Sequence, residues 1–114
     1  MLPSHVRILL CTEPQDFRKS FDGLALTTRQ LLGENPQSGA IFVFWNKRKN
    51  RLKLLWWDES GYCLLYKRLH RARIDVPSPA SANHRSLPID ATVLASLLRG
   101  VPHEVQRLGR RKAA

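Results

Sequence analysis

The amino-acid sequence predicts an α+β domain: a small, mainly antiparallel sheet with a basic-tipped β-hairpin and two to three packed helices. Three observations predict it. Residues 5–12 and 51–57 show two-residue alternation, and 40–45 is a short continuous apolar run. Apolar residues recur at helical spacing over 17–33 and 89–99. A length of 114 residues, 43% of them hydrophobic with three Trp and four Phe, suffices for one core but not for two. A disordered polyelectrolyte lacks such residues. Residues 1–102 are expected to form the domain, and 103–114 a basic, mobile tail.

The first strand is expected at 5–12, where Val6, Ile8 and Leu10 alternate with Arg7, Leu9 and Cys11 and Pro14 ends the run. A helix follows over 17–33. Asp16 is its expected N-cap and Gly33 its C-terminal stop. Gly23 lies inside it at a cost of about 1 kcal/mol against Ala, so it marks either close packing or a break. Two further strands, 40–45 and 51–57, flank Asn46-Lys47-Arg48-Lys49-Asn50, which is the basic tip of a hairpin. In the second of these, Arg51, Lys53, Leu55 and Trp57 share one face. Residues 58–61 form a turn.

Residues 62–71 fit two patterns. Tyr62, Leu65, Tyr66 and Leu69 make a helical stripe with Lys67, Arg68 and Arg71 facing away, and this favours a helix over a strand. A short strand is expected at 73–76, a connection from Pro77 to Pro88, and a helix over 89–99 with Asp90 as cap and Gly100 as stop.

Charge is the strongest global signal. The net value is +10, and it is unevenly placed: residues 1–46 carry four basic and four acidic side chains, while 47–114 carry fifteen against five. A one-sided positive field attracts polyanions, nucleic acid above all. Cys11 and Cys63 lie far apart without a CxxC neighbour, so they read as buried apolar residues of a reducing compartment. Neither a secretory leader nor an apolar run of about 20 residues is visible. The expected location is cytoplasmic, associated with the nucleoid.

Four groups are candidates for contact with nucleic acid. Lys47, Arg48, Lys49 and Arg51 crowd the hairpin tip, and Lys53 extends the row. A two-stranded ribbon fits a major groove, and its cations can also neutralise phosphates. Lys67, Arg68, Arg71 and Arg73 form a second cluster, and Arg18 with Lys19 opens the first helix, where the helix dipole disfavours cations. An i,i+4 pair from Arg18 to Asp22 would answer that mismatch. Trp57 shares a strand face with Arg51 and Lys53, so it is the Trp expected to stack on a base; Trp45 and Trp56 suit a core.

Catalysis has little support. Asp16, Asp22 and Asp58 suit a cap, an ion pair and a turn better than a metal site, and His5, His70, His84 and His103 lack ligand spacing. No metal or other cofactor is expected.

Three blocks carry a family resemblance. They are Asp16-Phe17-Arg18-Lys19-Ser20-Phe21-Asp22-Gly23-Leu24, the run from Phe42 to Asp58, and Gly61 through Leu69 centred on Tyr66-Lys67-Arg68-Leu69. In these blocks and their spacing, over roughly residues 5–100, the chain resembles the TnpB accessory proteins. These are the second open reading frame of the insertion-sequence-66 family of bacterial transposons, unrelated to the RNA-guided nuclease of the same name. The pattern departs after Leu69, where the family continues through a Gly to Trp-Pro and this chain reads His70-Arg71-Ala72-Arg73-Ile74-Asp75-Val76-Pro77. The resemblance implies a non-catalytic accessory role in transposition beside a separate, larger transposase, with transposon-end DNA and that transposase as partners. Two rivals remain: an adaptor that docks on the transposase, and a small basic ribonuclease relying on His70.

Overall fold

The apolar runs at 8–11 and 41–45 are buried on both faces, which places them in the middle of a sheet covered on two sides. The computed structural model describes residues 5–79 and 84–104. Its elements are β1 (Ile8–Cys11), α1 (Phe21–Gln30), β2 (Ile41–Trp45), β3 (Arg51–Asp58), β4 (Gly61–Arg68), β5 (Ala72–Arg73), β6 (Ser86–Ile89), α2 (Ala91–Arg99) and β7 (Val101–Pro102). Five strands form one sheet in the order β4-β3-β2-β1-β6, and β5 pairs with β7 in a two-stranded ribbon. All pairings are antiparallel except β1 with β2, which run parallel because α1 carries the chain across between them. Among the described residues there are two helices, the lower of the two numbers expected.

Each face of the sheet has its own apolar cluster. Leu9, Cys11, Phe42, Phe44 and Leu55 pack with Leu24 and Ala25 of α1. Ile8, Leu10, Ile41, Val43, Leu52 and Leu54 pack on the other side with Leu94 and Leu97 of α2. The result is three layers, helix–sheet–helix.

Several expectations change. Residues 62–71 are not a helix: Gly61–Arg68 is β4, paired along its whole length with β3. The helical stripe misled because Tyr62, Leu64 and Tyr66 share one face of the strand, while Leu65, which the stripe grouped with Tyr62 and Tyr66, falls on the other. The first helix is shorter than 17–33, starting at Phe21. Its N-cap is Ser20, without a side-chain cap bond, rather than Asp16. Gly33 adopts a positive φ of 66° just after the helix, where the Glu34 amide donates to Thr28 O. Gly23 permits close packing, since a Cβ there would meet Lys19 Cβ at 3.0 Å.

The short strand expected at 73–76 lies at Ala72–Arg73. The connection from Pro77 to Pro88 conceals the start of β6, an edge strand that tolerates Pro88 opposite Leu9. Asp90 caps α2 as expected, accepting from Val93 N at 2.8 Å, and Gly100 ends it at φ 72°. Cys11 is buried, which pushes its thiol pKa up, but Cys63 is only half-buried. Most of the expected basic tail, 105–114, lies outside the described residues.

Candidate nucleic-acid interface

The turn between β2 and β3 is built by two asparagines. Asn46 Oδ1 accepts from the amides of Asn50 and Arg51 at 3.0 and 2.9 Å, while Asn46 Nδ2 donates to Asn50 Oδ1 at 2.7 Å. The Lys49 amide donates to Asn46 O at 2.9 Å, and Lys49 itself takes a left-handed φ of 58°. An Asn side chain that mimics a backbone turn is well suited to this. Lys47 and Arg48 are left exposed at the apex. Lys49 is half-buried, its Nζ 5.9 Å from the centroid of the Trp45 ring.

The second basic cluster is carried to the same end of the sheet. The β3–β4 register sets Arg51 opposite Arg68 and Leu52 opposite Lys67. Beyond β4 the chain bends round the turn: Leu69 N donates to Asn50 O at 2.7 Å, and Ile74 N to Lys49 O at 2.8 Å. His103 N donates to Arg71 O at 3.1 Å, which joins the end of α2 to the same region. Lys47, Arg48, Arg51, Lys67, Arg68 and Arg71 therefore share one end of the molecule, although about 20 residues separate their two segments.

Among the described residues the ion pairs are Arg7–Glu34, Arg18–Asp16 and Arg85–Glu13, and none of them includes one of these six cations. Like charges directly opposite on a strand pair, as in Arg51 and Arg68, are unfavourable without an anion to share. Lys67, though exposed, donates to Leu98 O at 2.7 Å in the last turn of α2, where a cation also meets the helix dipole. Arg71 is exposed with a left-handed φ of 53°, and Arg73 is half-buried in β5.

Of the other candidates, Lys53, Lys19 and Trp57 are engaged inside the protein, while Arg18 is exposed and tied to Asp16. Lys53 is only 4% exposed and does not extend the solvent-facing row. Its Nζ donates to Phe17 O at 2.9 Å and Lys19 O at 2.6 Å, and lies 5.1 and 4.7 Å from the ring centroids of Phe17 and Tyr66. A buried ammonium needs such partners, and the carbonyls of the 14–20 loop provide them. Arg18 does not pair with Asp22. Its guanidinium forks onto Asp16 at 2.9 and 2.6 Å, and this holds the Asp16 carboxyl down at about 2. Lys19 is half-buried, donating to Gln15 Oε1 and Thr27 Oγ1.

Trp57 is half-buried and packs edge-on against Tyr62, with centroids 5.0 Å apart. Trp45 is core, its Nε1 donating to Cys11 O at 2.7 Å, and Trp56 packs against the α2-side cluster.

The aromatic beside the arginines is Tyr66, which the sequence places in an apolar stripe and in the third family-like block but not among the candidate contacts. It is 48% exposed, and its hydroxyl accepts from Arg51 Nη1 at 2.7 Å. A strand reading of 61–68 would have put Tyr66 and Arg68 on one face. Asp16, Asp22 and Asp58 do not converge. No group of three His, Cys, Asp or Glu among the described residues could hold a metal ion. None of the described helices is long and apolar enough to cross a membrane.

Comparison with known proteins places these features in a context. A family model described as "IS66 Orf2 like protein" matches residues 6–107. The chain is 39% identical over 103 residues to the uncharacterized protein y4hO of Sinorhizobium fredii, covering 89% of this chain and 87% of that one. It is 39% identical over 72 residues to y4jC of the same organism, covering 63% and 62%. No solved structure matches.

Proposed function

The chain belongs to the IS66 Orf2-like family, the accessory proteins of these insertion sequences, and from that membership we propose that it is a non-catalytic DNA-binding factor. It acts in transposition beside a separate, larger transposase. One observation carries the DNA-binding part: two basic segments distant in sequence meet at one end of the sheet, where no ion pair among the described residues neutralises them. Such a patch attracts nucleic acid through phosphate contact and counterion release. The contact set is Lys47, Arg48, Arg51, Arg68 and Arg71, with Lys49, Lys67 and Arg73 at its margin.

Gel-shift titration with transposon-end DNA and with random duplex tests this. Binding to both at low salt, falling steeply as salt rises, is expected. Absence of binding at low salt would refute it.

A docking role on the transposase is the second reading. It is favoured by the edge position of β4 and by Leu65, a large apolar residue left 40% exposed there. A nuclease-treated pull-down with the transposase separates the two readings, which can hold together.

A further inference from the structure

We infer that Tyr66, flanked by Arg51 and Arg68, is a stacking seat for an unpaired nucleotide of a single strand. The inference rests on the DNA-binding reading and narrows its ligand.

The seat has a floor, a wall and an opening. Lys53, buried and fixed by the carbonyls of Phe17 and Lys19, sits 4.7 Å from the Tyr66 ring centroid and occupies the protein side of the ring. Phe17 meets Tyr66 nearly at right angles, 80° at 5.9 Å, so it supports the ring without stacking on it. The hydroxyl is held by Arg51 at 2.7 Å. The ring is thus fixed at three points, yet it remains 48% exposed. A large aromatic held this firmly and left open is poorly explained by packing.

The charges beside it match a nucleotide. Arg68 follows Tyr66 by two positions and stands on the same sheet face, directly opposite Arg51. Two arginines at one register position on one face, without a carboxylate within ion-pair distance among the described residues, suit one phosphate held between them. A base on the Tyr66 face with its phosphate on the arginine pair is the usual grammar of single-strand recognition. A paired base offers no free face to such a ring, because its neighbours in the duplex already cover it.

Full-length protein is titrated by fluorescence anisotropy against a mixed-sequence single-stranded oligonucleotide of about 12 residues, within the usual single-strand site size, and against its duplex. The oligonucleotide carries one 2-aminopurine. Quenching of that base by the unaltered protein, in the single strand and not in the duplex, is expected, and it reads stacking without any variant. Tyr66→Leu should weaken the single strand about tenfold and leave the duplex within about twofold. Tyr66→Phe should retain most of the single-strand affinity, since it keeps the ring. An unquenched probe overturns the inference, as does an equal loss for both ligands; duplex binding would then still stand. No binding of either ligand at low salt would remove the DNA-binding reading itself.

Discussion

The loop before α1 and the turn between β2 and β3 look alike as sequence, since each sets Arg and Lys side by side. Their surroundings differ. In the loop, Arg18 is forked onto Asp16 and Lys19 is bonded to Gln15 and Thr27. At the turn, Lys47 and Arg48 stand exposed, and among the described residues no carboxylate pairs with them. In the loop Lys19 is drawn into the fold and Arg18 is tied to a neighbouring carboxylate, while at the turn Lys47 and Arg48 have no ion-pair partner among the described residues. What decides is whether the backbone brings an acceptor to the cation.

The sharpest way to break this contrast is a lysine from each class. Lys53→Ala removes the donor for two carbonyls and opens a hole beneath Phe17 and Tyr66. It should cost about 3 kcal/mol in urea unfolding, whereas Lys47→Ala should stay within about 0.5 kcal/mol. Comparable losses would mean that the turn lysine is also structural.

A second test concerns binding. Lys47→Ala with Arg48→Ala should lower the slope of log K against log salt by about 2, one for each phosphate contact. Arg18→Ala should barely change it, because Asp16 already neutralises that charge.

A third sets the two helices against each other. Asp90→Ala removes the cap bond to Val93 N and should cost about 1 kcal/mol in thermal unfolding. Ser20→Ala, which removes no cap bond, should cost far less.

The smallest effect is a titration. The Asp16 pKa, held at about 2 by Arg18, lies below the ordinary 3.8. A carboxyl lowered on folding stabilises the fold above its unfolded value, and that contribution is lost as pH falls through about 2. Carboxyl-carbon NMR of Arg18→Ala should show the Asp16 pKa rise toward the ordinary value.

How legible the fold was depends on how local its causes are. β1, β2 and β3 were readable from alternation and apolar runs, and α2 from Asp90 and Gly100. β4 was not, because Tyr62, Leu65, Tyr66 and Leu69 fit a helix equally well; pairing with β3, a long-range cause, decides it. β6 was hidden by Pro88, which only an edge position excuses. The start of α1 was misplaced because residues 14–20 are shaped by Lys53, more than thirty positions away.

The site was legible in the same uneven way. The two charge clusters stand out in composition, but their meeting at one end depends on strand register. The fates of Lys53 and Tyr66 depend on each other's placement. Family membership fixed the biological setting more firmly than any single residue could.

The asparagine lock at 46 and 50, with the bonds from Leu69 and Ile74, also bears on kinetics. A loop that must order itself as it docks gives up part of its interaction energy to lost freedom. This mount is already rigid before any ligand arrives, so the backbone carrying Lys47 and Arg48 has that loss behind it. Capture of a passing strand should then be limited by diffusion and charge steering rather than by rearrangement of the turn.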